Sequence, residues 1–423
     1  MRSAPHEPGP DLLPVWNAPR FGVITDRSPW CVALRIAASC VATSSAIVCV
    51  AAPLDAAAPA KLLAHGPWPV VTARDPSNRV SGRAEAIEFG YRMFREPRFS
   101  PNGYVACISC HQTDRDFTDA IARAQGLAPV GRNTPALANL RLVHWFGWDG
   151  ASDSLWMASL RPILDAREIG SDAGRVAHVV RIGDGHACRY RRSFGAWPSA
   201  HDDLTVMVNV AKAIAAFAET LVTGPTPFDQ YRDALAQGDE AGAARYPSAA
   251  RRGAELFVGR AHCANCHAGA NFTDGAFHRT GSGDSAASRG VDAGREDGLA
   301  RWRLSVFNRF GRFSEVRVRP AAADLSAIGD TAQRGRFRTP ALRNVAVTPP
   351  YMHDGSVDTL EEAVTHHTRT AGSMEPADEP GQVPRSEALS ARDVADLVAF
   401  LETLTDAQGA ARRFPPRARS PCR

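Results

Sequence analysis

The sequence predicts an all-α chain built from two similar halves, and three observations predict it. The motif C-x-x-C-H occurs twice, as Cys107, Cys110, His111 and again as Cys263, Cys266, His267. Each copy follows a stretch whose apolar residues recur at helical spacing, "AIEFGYRMF" (86–94) and "ARRGAELF" (250–257). No strand-like alternation of any length accompanies them.

The motif carries its own chemistry. In C-x-x-C-H the two thiols add to the vinyl groups of haem, and the histidine becomes the proximal ligand of the iron. Two intervening residues match the vinyl separation, and the adjacent histidine reaches the metal from below. Two other readings compete. Zinc ribbons bring their C-x-x-C knuckles within roughly 15–20 residues of each other, whereas Cys263 follows Cys107 by 156. A redox dithiol needs no histidine directly after both pairs. The motifs therefore predict two covalent haems, one in each of two mostly helical, cytochrome-c-type domains.

The surroundings repeat as well. "FTD" stands at 117–119 and at 272–274, "TPALANL" (134–140) matches "TPALRNV" (339–345), and "WDGASDSL" (148–155) matches "HDGSVDTL" (353–360). The last two pairs share an offset of 205 residues, against 156 at the haem motifs, so the second half carries 49 inserted residues. That insertion, rich in Gly, Arg and Asp from about 275 to 335, is expected to be a long surface loop with little regular structure. A helix through Val206, Val210, Ile214, Phe217 and Leu221 closes the first half. Residues 223–247 read as a linker. A last helix (390–404) has Ser390 and Asp393 as a capping pair. The expected domains are 75–222 and 248–405, with a disordered tail at 406–423.

The chain has 423 residues, long enough for two or three cores, with 44% apolar and 22% charged residues, as in a soluble globular protein. A net charge of +4 is too slight to argue for nucleic acid. Residues 1–58 form a leader: a proline-rich polar stretch, then Arg35 and an apolar run from Ile36 to Ala52 before small residues. This is the layout of a secretory signal, with translation starting near Val32, and it predicts a periplasmic protein; a membrane anchor is the alternative. Of nine cysteines, Cys188 and Cys422 stand outside the leader and the motifs and could pair in an oxidising compartment.

From about 75 to 405 the chain resembles the bacterial diheme cytochrome c peroxidase superfamily, which includes MauG. The resemblance rests on "CISCHQ", "GRNTPALANL", "WDGASDSL", "REIG", "AFAETLVTGPTPFDQY", "CANCH" and "FRTPALRNVAVTPPYMHDGSVDTLEEAV". It implies an N-terminal haem where hydrogen peroxide reacts and a C-terminal haem that receives electrons, with a tryptophan and a calcium ion between them. The implied electron donor is a small c-type cytochrome or cupredoxin, and a homodimer is expected. Trp148 falls on the inter-haem tryptophan, although an isolated tryptophan reads first as core. Asn133 falls on the side-chain calcium ligand, and Thr348 and Pro350 on its carbonyl ligands; oxygen donors suit calcium. Glu168 falls on the catalytic glutamate, a group able to move a proton between two peroxide oxygens; otherwise it is a solvated glutamate.

Three departures from the family pattern stand out. No histidine lies between His111 and His144, so the loop histidine that caps the first iron in many peroxidases is missing. The distal glutamine is replaced by Ala158. The axial position of the second haem, methionine or tyrosine in relatives, falls on His367 within "TLEEAVTHHTRTAG", with His366, Met352 and Met374 as alternatives. Bis-histidine ligation is expected to lower that haem's potential, because thioether ligation favours ferrous iron. The expected activity is reduction of hydrogen peroxide to water. The alternatives are a MauG-like oxidation of Tyr or Trp on a partner protein and a diheme electron carrier without catalysis.

Overall fold

The computed structural model describes residues 58–281, 292–316, 333–370, 389–407 and 422. The leader, Met374 and most of the C-terminal tail lie outside these residues. Among the described residues the structure is helical, apart from one two-stranded ladder and isolated bridges.

Each half is organised by one close helix crossing, made the same way. In the first half the helix Ala84–Phe94 crosses the helix Asp203–Ala218 at Gly90, where an added Cβ would lie 1.8 Å from the Ala213 carbonyl oxygen. In the second half Ser248–Val258 crosses Ala391–Glu402 at Gly253, where a Cβ would lie 1.9 Å from the Asp396 oxygen. Only a residue without a side chain lets the backbones approach so closely. The 203–218 helix is buried from Val206 through Ala218, which explains why it is apolar all round. Helices Leu155–Leu164, Ala173–Ile182 and His186–Phe194 complete the first half. Ser154, Asp172 and Asp202 each cap a helix by accepting a backbone N–H. Ser390 and Asp393 form the expected capping box.

The duplication extends to hydrogen bonds. Asn139 and Asn344 stand 205 residues apart and share a left-handed backbone, φ 61° and 62°. Asn139 donates its N–H to the Leu221 carbonyl, and its Oδ1 accepts from Thr223. Asn344 donates to the Leu404 carbonyl, and its Oδ1 accepts from Asp406. Each asparagine thus ties the segment after its haem motif to the end of its own half.

Three segments depart from the sequence expectations. The linker is helical over Pro227–Gln237 and Glu240–Ala244, and Phe228 and Tyr231 belong to the second core. The insertion contains the helix Arg295–Leu304, whose Leu299 and Trp302 enter the first core with Phe307, Phe310 and Phe313 packed beside them. Trp302 Nε1 donates to Asp153 at 2.7 Å, and Lys212 pairs with Glu315 at 2.7 Å. Its Gly and Arg content suggested a solvated loop, but a few large apolar residues were enough to dock it. A two-residue antiparallel ladder, Phe277–His278 with Phe337–Arg338, closes its base. Finally, the tail expected to be disordered is tied down near its end: Cys422 forms a disulfide with Cys188, and its carbonyl accepts from Arg189 at 2.7 Å.

The helix Ala58–Leu63 precedes the first half in sequence but packs on the second, through Ala58 and Leu62. No helix among the described residues is long and apolar enough to cross a membrane.

Candidate functional site: two cavities joined by one wall

The two motifs open onto separate cavities. Cys107, Cys110 and His111 line a cavity of about 540 Å³, and Cys263, Cys266 and His267 line another of about 290 Å³. A four-cysteine zinc site is thereby excluded, since the two pairs share no cavity. All four thiols are free. Burial pushes the Cys107 thiol up to about 12, Cys110 to about 11 and Cys263 to about 12.

The histidines are held identically. His111 Nδ1 lies 2.8 Å from the Phe117 carbonyl, and His267 Nδ1 lies 3.1 Å from that of Phe272. Both phenylalanines belong to the repeated "FTD", both are fully buried, and both have positive φ, 62° and 52°. That backbone conformation turns the carbonyl onto the imidazole. A bond at Nδ1 fixes the tautomer and leaves Nε2 as the ligating nitrogen, the usual outer-shell arrangement at a metal-bound histidine. Asn271 adds an independent sign of an absent group: both of its side-chain amide atoms are buried without a protein partner on the second cavity's wall. The residues fit a covalently bound haem in each cavity.

The second cavity also receives His367, at the third turn of the helix Leu360–Thr370. Its Nδ1 is bonded within the helix to the Ala363 carbonyl at 3.0 Å, again leaving Nε2. His366 does not line the cavity, and its Nε2 meets the Thr280 carbonyl at 3.2 Å. Met352 lines the same cavity as His367. Burial holds His267 down to about 4, and the nearby His367 adds to the effect.

The first cavity has His111 as its one histidine among the described residues, and neither methionine nor tyrosine lines it. Glu168 stands on its wall, pinned by two backbone bonds: its N–H to Asp165 and its carbonyl from Leu127, each 3.0 Å. The carboxylate Oε1 is 2.9 Å from Arg161 Nη1. Ala158 lines the same wall.

Trp148 lies on the walls of both cavities. Its indole N–H donates to the Asn133 carbonyl at 2.9 Å, and its own carbonyl accepts from the Arg338 N–H at 2.8 Å. Asn133 lines both cavities as well, while Thr348 and Pro350 line the second. Asn133 donates its amide N–H to the Ile121 carbonyl at 3.0 Å.

Sequence reasoning missed Arg338 and Arg161. Arg338 is 7% exposed, lines both cavities, and has no acidic partner among the described residues. Its guanidinium donates to the Gly147 and Thr339 carbonyls, both at 3.3 Å, and burial holds its pKa down to about 10. The signal was available, because the 205-residue offset places Arg338 opposite Asn133 in the repeat. Arg161 had no comparable mark.

Two C-x-x-C-H motifs opening onto separate cavities of a duplicated helical chain, the first lined by His111 and the second by His267 and His367 together with His262, His278 and His353, fit a diheme c-type cytochrome. A family model described as di-haem cytochrome c peroxidase matches residues 84–237. The chain is 33% identical over 322 residues to a methylamine utilization protein MauG from Methylorubrum extorquens, covering 76% of this chain and 78% of that protein. It is 28% identical to a cytochrome c551 peroxidase from Nitrosomonas europaea, covering 82% of this chain and 86% of that one. Among solved structures, a MauG-like protein associated with microbial copper homeostasis aligns with a TM-score of 0.61 at 28% identity, covering 83% of this chain and 97% of that one. The chain belongs to the di-haem cytochrome c peroxidase/MauG family and is an oxidoreductase of that family. The family implies two haems.

Proposed function

We propose that this protein is a peroxidase that reduces hydrogen peroxide to two waters, taking two electrons and two protons, with electrons from a small periplasmic cytochrome or cupredoxin. The observation that carries the reading is the asymmetry of the cavities: among the described residues no second histidine, and no methionine or tyrosine, lines the cavity of His111, whereas His267 shares its cavity with His367.

The haems, when bound, supply the iron that meets peroxide at the first cavity and accepts electrons at the second. The chain's own residues divide the remaining work. Cys107 and Cys110, and likewise Cys263 and Cys266, would hold the haems covalently, and His111, His267 and His367 would supply nitrogen donors to iron. Phe117 and Phe272 orient the proximal imidazoles through their carbonyls. Glu168 moves a proton between the two peroxide oxygens, from a backbone fixed by Leu127 and Asp165. Trp148 lines both cavities, as Asn133 and Arg338 do, and its indole provides the route between them. Asn133, with the carbonyls of Thr348 and Pro350, offers oxygen donors to one calcium ion.

A second reading, oxidation of Tyr or Trp on a partner protein, draws on the 33% identity to a MauG and on the absence of histidine between His111 and His144. One experiment separates the readings: hydrogen peroxide added to oxidised and to half-reduced protein, with reduced cytochrome c as donor. Turnover from the fully oxidised state is expected. Turnover only after half-reduction contradicts an open first iron. A long-lived oxidised spectrum without turnover selects the partner-oxidising reading. An oxidised protein with no high-spin signal is an electron carrier.

A further inference from the structure

We infer that Arg161 is a positioning residue of the first cavity: it holds Glu168 in register and presents hydrogen-bond donors to an anion or peroxide there, in place of the donor lost at Ala158. The inference rests on the peroxidase reading for its substrate, but the geometry stands on its own.

Ala158 and Arg161 are three residues apart in the helix Leu155–Leu164, so they occupy one face, and both line the first cavity. A methyl group at 158 leaves space on that face, and the arginine one turn on is long enough to enter it. The guanidinium Nη1 lies 2.9 Å from Glu168 Oε1. Oε1 is enclosed, and the Arg161 guanidinium is the cation beside it. Guanidinium carries five N–H donors in a rigid fork and no acceptor. Pairing through Nη1 leaves the rest of that fork for a ligand on the same wall.

The pair sits in a fixed frame. Asp165 donates its N–H to the Arg161 carbonyl, Glu168 donates to the Asp165 carbonyl, and Ile169 to that of Pro162, each at 3.0 Å. Gly126 packs against the Glu168 backbone so closely that a Cβ there would lie 2.6 Å from Glu168 Cα. A donor-rich cation and a carboxylate, side by side in the cavity that His111 lines, can stabilise a bound anion and receive its proton.

The test uses fluoride, a small anion that binds open ferric haem and accepts hydrogen bonds, titrated into oxidised holoprotein and followed by absorption. Wild type is expected to bind fluoride at one haem. R161A is expected to weaken that binding about ten- to a hundredfold, the loss of one hydrogen bond to a charged group. R161K should lose less, since it keeps the charge, and A158Q in the R161A background should recover part of the affinity. If R161A does not fold, R161Q carries the same comparison. Fluoride affinity equal to wild type in R161A or R161Q overturns the role of Arg161. Wild type that binds fluoride but never turns over peroxide retires the peroxidase reading and leaves the arginine's role standing. Wild type that binds no fluoride overturns both.

Discussion

His267 and His367 stand on the wall of one cavity, each with its Nδ1 already bonded to a backbone carbonyl, at 3.1 and 3.0 Å. Both imidazoles therefore offer Nε2 to the same space. Replacing His367 with Gly is expected to abolish the low-spin bis-histidine signature of one haem in the electron paramagnetic resonance spectrum and leave the other haem unchanged. H366G is expected to change neither, because His366 does not line the cavity and its Nε2 is engaged with the Thr280 carbonyl. If both haems survive H367G untouched, Met352 becomes the candidate ligand.

Glu168 makes a separable prediction. E168Q keeps the shape but cannot move the proton, so kcat/KM for peroxide should fall about 10²- to 10⁴-fold. The spectrum of the second haem should stay as in wild type. An unchanged peroxide rate would remove Glu168 from the mechanism.

Trp148 is the residue whose role depends on touching both cavities. W148F retains an aromatic ring, loses the bond to the Asn133 carbonyl and presents a ring far harder to oxidise. In stopped-flow experiments, reduction of the second haem by the donor should keep its rate, while electron arrival at the first haem slows. Equal slowing of both steps would indicate a general packing defect instead.

Glu96 makes the stability depend on acid. Burial works to raise its pKa, but hydrogen bonds from Arg98 and His186 outweigh burial and hold it down to about 2. A folded pKa below the ordinary 4.5 means that the stabilisation is full above about pH 4.5 and lost as pH falls toward 2. The full effect is on the order of 2–3 kcal/mol. Wild type should lose stability across that window in chemical denaturation, and E96Q should show a flatter profile.

Gly90 and Gly253 test the duplication. G90A and G253A each place a methyl inside a backbone contact, and each should destabilise by about 1–3 kcal/mol. Failure in one half alone would show that the two crossings are not energetically equivalent.

The covalent and local features were legible because their rules are local. C-x-x-C-H spacing is set by the size of haem, and the helices follow apolar period and caps such as Ser390 with Asp393. Asn139 and Asn344 repeat because each half needs the same left-handed turn before the same two backbone bonds. The C-x-x-C-H motifs, 156 residues apart, therefore marked the two haem positions, and the offset of 205 carried the pairing of Asn139 with Asn344 and of Trp148 with His353 in the repeat. The order of the chain could not say which distant surfaces meet. His366 and His367 differ by about 100° around one helix, and only the packing of that helix decides which of them enters the cavity. Docking of the insertion by Leu299 and Trp302, the disulfide between Cys188 and Cys422, and the contact of Arg161 with Glu168 all join surfaces that composition describes only as apolar, free or charged. Arg338 marks the boundary most sharply: its place in the repeat was readable, but its burial between two cavities exists only once both halves have folded against one another.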